Sequence, residues 1–169
     1  NWGIWCPYGF STPPIIDNTR VIVRNAVENL GIRIKGNEAH SYGSFPKIMN
    51  SQIKVAAAGS YHYGVYLENA SYNANHITEI TNCRIESVGN GIHGANSVSG
   101  TAPSHIRLLN SQIITGYHSL HAENSAVDFS IWNIDNTLLI GGIFDGIDNR
   151  VTYNCRDCFN QNMVDVVCP

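Results

Sequence analysis

Residues 79–96 read EITNCRIESVGNGIHGAN, and they contain the pattern from which the fold is predicted. Ile80, Ile85 and Ile92 alternate with polar residues in the period-two pattern of strands that bury one side. Asn82 and the glycines between the apolar runs favour tight turns. The stretch therefore predicts about three short strands separated by turns.

The same pattern recurs in four other segments of the chain. They are residues 21–37 (VIVRNAVENLGIRIKGN), 47–55 with 63–69 (KIMNSQIKV and YGVYLEN), 107–124 (RLLNSQIITGYHSLHAEN) and 133–149 (NIDNTLLIGGIFDGIDN). Each copy places an Asn directly after a short apolar run, at Asn25, Asn50, Asn82, Asn110 and Asn136. A period of roughly 28 residues with variable length is typical of a solenoid whose loops absorb insertions.

The apolar positions keep the same phase relative to this Asn. Inward-facing residues are predicted two positions before it, three positions after it, and again after a small residue further along. The three sets are Val23, Ile48, Ile80, Leu108 and Ile134; Ile53, Ile85, Ile113 and Leu139, with Glu28 as the exception; and Ile32, Val65, Ile92, Leu120 and Ile147. One coil cannot bury its own apolar face but stacked coils can, so the sequence predicts an all-β solenoid of about six coils. A β-sandwich with turn-forming Asn residues is the alternative.

The recurrent Asn has a physical explanation in this fold. Asn tolerates the left-handed backbone conformation of a tight turn, and its side chain can hydrogen-bond to the neighbouring coil. We therefore predict a structural ladder formed by Asn25, Asn50, Asn82, Asn110 and Asn136.

Residues 48–53, 80–85 and 108–113 share the pattern [IL]-x-N-[SC]-x-I. With this pattern, residues 19–150 resemble the right-handed parallel β-helix superfamily, which includes pectate-lyase-like enzymes, phage tailspikes and surface proteins. The resemblance implies a right-handed parallel solenoid and says little about activity, because one fold hosts many functions. Enzymes with this fold cleave acidic polysaccharides, with clustered Asp and Glu residues that bind calcium plus an Arg base in the lyases, or with groups of Asp in the hydrolases.

The two ends of the chain lack the repeat. An open solenoid exposes apolar side chains and strand edges at its ends, so residues 1–18 and 151–169 are predicted to be caps. The N-terminal segment contains Trp2 and Trp5, which could instead form a sugar-stacking platform or contact a partner.

Three of the five cysteines fall within the last 15 residues. That segment has no His to complete a zinc site, so a disulfide is predicted, with Cys155–Cys168 favoured and Cys158–Cys168 as the alternative. A disulfide implies an oxidising compartment, hence an extracellular or cell-surface location. Cys83 occupies a position near a turn where other repeats have a small residue, which predicts a buried free thiol.

Composition excludes several classes of function. The net charge of −3 provides no basic field for nucleic acid or an anionic membrane, and no apolar run is long enough to insert into a bilayer. No metal-binding, nucleotide-binding or hydrolase motif is present, so neither a metal nor a cofactor is predicted.

One outward-facing stripe is the candidate binding site. It follows the third set of apolar residues and contains Arg33, Tyr66, His93 and His121, with Asp148 in the last repeat. Stacked coils would align these side chains in a column that could hydrogen-bond to and stack on a glycan; a solvated face with incidental polar residues is the alternative. Asp145 and Asp148 are the candidates for catalysis in the alternative enzymatic function.

A second set of outward positions is predicted to be structural. It contains Lys47, Glu79 and Arg107 before the Asn, and Gln52, Arg84 and Gln112 after it, so opposite charges should pair between coils.

Together these features predict a secreted or cell-surface module for glycan binding, adhesion or structural assembly, and not an enzyme. Its partner would be a polysaccharide or cell-surface glycan, and flat solenoid ends with an odd number of cysteines favour a homo-oligomer or filament. The alternatives are a polysaccharide lyase or glycoside hydrolase, and a tailspike-like receptor-binding domain.

Overall fold

The computed structural model describes residues 1–7, 13–25, 27–35, 46–56, 61–68, 77–95, 105–123, 130–145 and 151–168. Within these residues the chain forms parallel β-strands and no helix, which we number β1 to β15 along the chain. The prediction of an all-β parallel solenoid is confirmed.

The first face of the solenoid is a parallel sheet of six strands. They stack in chain order as β2 (Ile15–Asp17), β5 (Lys47–Met49), β8 (Thr78–Thr81), β11 (Ile106–Leu109), β13 (Ser130–Asp135) and β15 (Val151–Arg156). Ile16, Ile48, Ile80, Leu108, Ile134 and Cys155 lie in register along this sheet. Each strand therefore adds the same inward position to the stack.

The second and third faces belong to one continuous sheet. The second face contains β3 (Arg20–Arg24), β6 (Gln52–Ala56), β9 (Arg84–Ser87) and the first halves of β12 (Gln112–Glu123) and β14 (Leu138–Asp145). The third contains β1 (Trp2–Cys6), β4 (Glu28–Lys35), β7 (Tyr61–Glu68), β10 (Asn90–Ala95) and the second halves of β12 and β14. The faces join because residues 112–115 of β12 pair with β9 and residues 120–123 pair with β10.

The core is the apolar column that the period-two pattern predicts. Ile48, Ile80, Leu108 and Ile134 are completely buried, as are Ile85, Ile113, Leu139, Ile32, Val65, Ile92 and Leu120. Like residues stack at the spacing between hydrogen-bonded strands, so each coil covers the apolar side chains of its neighbour.

The turn between the first and second faces has a left-handed residue in every coil. The residues with positive φ at this corner are Asn18, Asn50, Asn82, Asn110, Asn136 and Asp157. The amide of Asn50 donates to Asp17 Oδ1 at 2.9 Å, and the amide of Asn82 donates to Asn50 Oδ1 at 3.1 Å. The amide of Asn136 donates in the same way to Asn110 Oδ1, at 2.8 Å. We call this set the corner ladder.

The ladder prediction was wrong for Asn25. Strand β3 pairs with β6 so that Val21 aligns with Ile53, which makes Asn18 the counterpart of Asn50. Asn25 also has a positive φ, but it lies at a different corner, between β3 and β4. Glu28 broke the apolar pattern in the sequence because that repeat was aligned one strand too late.

A second column of small residues supports the corner ladder from inside. Side chains at the position after each left-handed residue donate to the backbone oxygen two residues earlier. This holds for Thr19, Ser51, Cys83, Ser111, Thr137 and Cys158. Cys83 and Cys158 are free and buried, so the predicted buried thiol at Cys83 is confirmed.

The N-terminal segment predicted as a cap contributes strands to the solenoid. Trp2–Cys6 forms β1, which pairs in parallel with β4, and Ile15–Asp17 forms β2, which pairs with β5. Residues 8–12, within the predicted cap, lie outside the described part of the chain.

At the C-terminal end, β15 is the sixth strand of the first face and the chain then folds back. Phe159 pairs with Leu138 in parallel and with Asp165 in an antiparallel bridge, and Val166 and Cys168 pack against the core. Cys155 and Cys168 form a disulfide with Cα atoms 5.6 Å apart, as predicted. The alternative partner, Cys158, points inward, with its Sγ 3.3 Å from the oxygen of Ile134.

The connections that would complete most coils, including residues 36–45, 69–76 and 96–104, lie outside the described residues. The right-handed path and the count of about six coils therefore stay predictions. No helix in the described part of the chain is long and apolar enough to cross a membrane.

Candidate functional site

The predicted outward stripe is a continuous column of side chains on the third face. Arg33, Tyr66, His93 and His121 pair in register on β4, β7, β10 and β12. The rings of Tyr66 and His93 stack with centroids 4.9 Å apart, and those of His93 and His121 with centroids 4.5 Å apart. The structure therefore brings the four predicted residues together. We use the name aromatic column for these four residues together with the neighbouring Trp2, Trp5 and Tyr63.

The column begins one strand earlier than the sequence analysis placed it. Trp5 pairs in register with Arg33, and the rings of Trp2 and Trp5 lie 4.8 Å apart. Trp2 is 44% exposed and Trp5 is 48% exposed, which makes them the most accessible rings of the column.

A signal for these two residues was present in the sequence. Trp2-Gly3-Ile4-Trp5 repeats the pattern of a small residue followed by an apolar and an outward residue that recurs at residues 30–33, 63–66, 90–93 and 118–121. The repeats are aligned on the corner Asn, which is not part of the short pattern at residues 2–5, so this copy was missed.

Arg33 links the exposed and buried parts of the column. Its guanidinium carbon lies 5.1 Å from the ring centroid of Trp2 and 5.7 Å from that of Tyr66. A cation within about 6 Å of an aromatic face is attracted by the ring quadrupole. Arg33 also donates to Glu68 Oε2 at 2.8 Å, which fixes its orientation against both rings.

Glu68 is held in its ionised form by two cations. Burial opposes its ionisation, but hydrogen bonds from Arg33 and Lys35 outweigh this effect and hold the pKa of Glu68 below its ordinary value. The ammonium of Lys35 lies 3.1 Å from Glu68 Oε1. A carboxylate held ionised by two cations cannot serve as a proton donor near neutral pH.

The predicted binding residue His93 is enclosed within the column. It is only 3% exposed because Tyr66 and His121 cover its two faces and Tyr63 meets it edge-on at 4.7 Å. His93 therefore supports the column from within, and a ligand on this face would contact the rings toward Trp5.

The side chains of the two catalytic candidates, Asp145 and Asp148, lie outside the described residues. Asp145 pairs in backbone register with His121, and its side chain lies outside the described residues. The sequence alignment that gave this place to Asp148 was wrong, because Leu120 pairs with Phe144 and not with Ile147. Asp148 itself lies outside the described residues.

The stripes predicted to be structural form pairs between coils, and Lys54 with Glu86 adds a pair that the sequence did not predict. Lys47 Nζ lies 3.1 Å from Glu79 Oε2 on the first face, and Lys54 Nζ lies 2.8 Å from Glu86 Oε2 on the second. Arg84 donates to Gln112 Oε1 at 2.9 Å. Such exposed pairs contribute about 0–1 kcal/mol each, so they favour correct register more than stability.

The described residues contain no group of three or more His, Cys, Asp or Glu side chains that could hold a metal ion. Comparison with protein-family models, with curated proteins and with solved structures found no match to this chain.

Proposed function

We propose that this chain is a secreted or cell-surface binding module, without catalytic activity, that binds a glycan along the aromatic column. The observation that carries the proposal is the exposed Trp2–Trp5 pair, continued by Arg33 and Tyr66 on neighbouring strands. Aromatic faces bind the apolar C–H side of a sugar ring, and a guanidinium donates hydrogen bonds to its hydroxyl groups.

The shape of the surface favours an extended saccharide. Neighbouring strands lie about 4.8 Å apart, so Trp5, Arg33 and Tyr66 span about 10 Å along the solenoid axis. A rigid parallel sheet fixes these groups before binding, which reduces the entropic cost of association.

A module of this kind suits adhesion or assembly on a surface, and the Cys155–Cys168 disulfide supports an oxidising compartment. The six stacked strands of the first face support a count of about six coils. The right-handed path of these coils is part of the proposal, because parallel crossover connections are right-handed in nearly all proteins.

The test is glycan-array binding followed by calorimetry on the strongest glycan, with Trp5→Ala as the test variant. We expect Trp5→Ala to weaken binding by about fivefold or more, since a planar ring stacked on an aromatic side chain, as in nucleobase stacking, is worth about 1–3 kcal/mol. Tyr117→Ala is the matched control, because Tyr117 is 62% exposed and lies outside the column. An array with no bound glycan, or equal losses in both variants, would contradict the proposal.

A polysaccharide lyase or hydrolase is the second candidate, favoured by the register of His121 with Asp145. The same glycans should be assayed for new reducing ends. Turnover that disappears in Asp145→Ala would establish this second function in place of the first.

A further inference from the structure

A polar depression on the first face is not explained by the aromatic column. It has a volume of about 420 Å³ and lies over the last three strands of the sheet. Arg107, Asn133, Asp135, Asn154 and Arg156 line it, with Ile77 and Cys155 at its edge. We call it the amide cleft.

The floor of the cleft is a pair of oriented amides. Asn133 and Asn154 are register partners on β13 and β15, and Asn154 Nδ2 donates to Asn133 Oδ1 at 3.0 Å. This bond leaves the Asn133 amide nitrogen as a donor and the Asn154 oxygen as an acceptor. A ligand with hydroxyl groups can satisfy both.

Arg107 provides the charge of the cleft. Arg107 is exposed and lies on β11, where it is the register partner of Asn133 on β13. Its other register partner, Glu79, is engaged by Lys47 at 3.1 Å, and no carboxylate among the described residues forms an ion pair with Arg107. A guanidinium in this position matches the two oxygens of a carboxylate.

The one carboxylate in the cleft is already neutralised. Asp135 Oδ1 lies 2.9 Å from Nε of Arg156. The cleft therefore contains two guanidinium groups against one carboxylate, in a chain whose net charge is −3. Its last strand is also covalently fixed, because Cys155 is bonded to Cys168.

We propose that the amide cleft binds a small hydroxylated carboxylate, with the carboxylate on Arg107 and the hydroxyl groups on Asn133 and Asn154. Arg107, Asn133 and Asn154 cover two strand spacings, about 10 Å, which accommodates one sugar-sized ring. The site is on a different face from the aromatic column and does not depend on the glycan proposed to bind there.

The experiment is an NMR titration of the intact chain with D-glucuronate, D-glucose and inorganic sulfate at constant ionic strength. We expect glucuronate to shift the side-chain amides of Asn133 and Asn154 and glucose to leave them unchanged. Arg107→Gln should weaken glucuronate binding at least tenfold. Arg20→Gln, which makes the same charge change at an exposed position on the second face, should leave it within twofold.

Each other result overturns the proposal. Equal losses in Arg107→Gln and Arg20→Gln would mean attraction by overall charge alone. Glucose binding as tightly as glucuronate would remove the role of the carboxylate. Sulfate binding as tightly as glucuronate would remove the role of the hydroxyl groups and leave a simple oxyanion site.

Discussion

At the corner ladder, a single residue in each coil accepts a left-handed backbone conformation. For most L-residues this conformation costs roughly 1–2 kcal/mol because Cβ approaches the following carbonyl oxygen. Asn and Asp lower that cost with local side-chain hydrogen bonds, and here they also bond along the stack, as Asn82 does to Asn50. The residue type at this corner therefore follows from backbone geometry and not from ligand binding.

This explanation predicts a specific order of stability at position 82, where φ is 53°. Asn82→Gly and Asn82→Ala both remove the hydrogen bond to Asn50. Only the Ala variant keeps a Cβ, which approaches the following carbonyl oxygen at this positive φ. Ala should therefore lower the free energy of unfolding by about 1 kcal/mol more than Gly. Chemical denaturation of the two variants measures the difference, and equal stabilities would show that strain at this corner is not a factor.

We expect a buried histidine, His105, to make the stability of the fold decrease in acid. Burial lowers the pKa of His105 from its ordinary value of 6.5, and its Nδ1 accepts a hydrogen bond from the backbone N–H of Ile131 at 3.1 Å. The folded chain therefore favours neutral His105, whereas the unfolded chain binds a proton once the pH falls below about 6.5. Stability contributed by the neutral form is present above that pH and decreases below it.

His105→Asn tests this effect, because the Asn oxygen can replace Nδ1 as the acceptor without titrating in this range. We expect the free energy of unfolding to fall less between pH 7 and pH 5 in this variant than in the natural chain. Denaturant titrations at both pH values provide the measurement. Parallel losses in the two proteins would assign the acid sensitivity to other groups.

Among the elements, the third face is shaped by a column of small residues. A Cβ added at Gly64 would collide with the side chain of Ile85 on the second face and lie 2.7 Å from the oxygen of Gly91. Gly3, Gly31 and Gly91 meet equivalent obstacles, and Ser119 occupies the corresponding place on β12. These small residues let the third face approach the second, which brings the neighbouring outward positions of the aromatic column into line.

Gly64→Ala should therefore destabilise the chain by about 3 kcal/mol, the upper end of the usual cost of overpacking a core. Ser119→Ala is the control in the same column, since that place already holds a Cβ. It should cost about 1 kcal/mol, through loss of the bond from Ser119 Oγ to the oxygen of Ile140 at 3.2 Å. Thermal unfolding followed by circular dichroism compares them, and a harmless Gly64→Ala would mean that the faces can separate at little cost.

At the scale of the whole molecule, stability is carried by contacts between coils that are distant in sequence. Among the described residues, the covalent tie is the disulfide between Cys155 and Cys168 near the C-terminal end. Burial raises the pKa of the Cys6, Cys83 and Cys158 thiols, which favours their protonated form over the reactive thiolate.

Loss of the disulfide should weaken the whole chain. The bond closes a loop with a sequence separation of 13 residues, which corresponds to about 3 kcal/mol in the chain-entropy estimate. Cys168→Ser should lower the free energy of unfolding by about this amount. Cys83→Ser should have little effect, because Ser51 and Ser111 already make the same hydrogen bond in the neighbouring coils. A similar decrease in the free energy of unfolding in both variants would argue against a special role for the disulfide.

The sequence alone favoured the class of fold and the Cys155–Cys168 pairing over their alternatives, and it identified the inward residues of the middle coils and the buried thiol at Cys83. It could do so because a solenoid repeats the same local environment, so one period-two pattern identifies the core in every coil. It also identified Arg33, Tyr66, His93 and His121 as one column, since register follows from that repeat.

The alignment at the two ends and the accessibility of each site residue could be read only from the packing of neighbouring coils. Asn25 and Asn18 both precede plausible strands, and only pairing of β3 with β6 distinguishes them. Burial of His93 depends on Tyr63, Tyr66 and His121, which belong to other coils, and the amide cleft depends on three strands between 21 and 47 residues apart along the chain. Such properties arise from neighbours brought together by stacking, so no local stretch of sequence contains them.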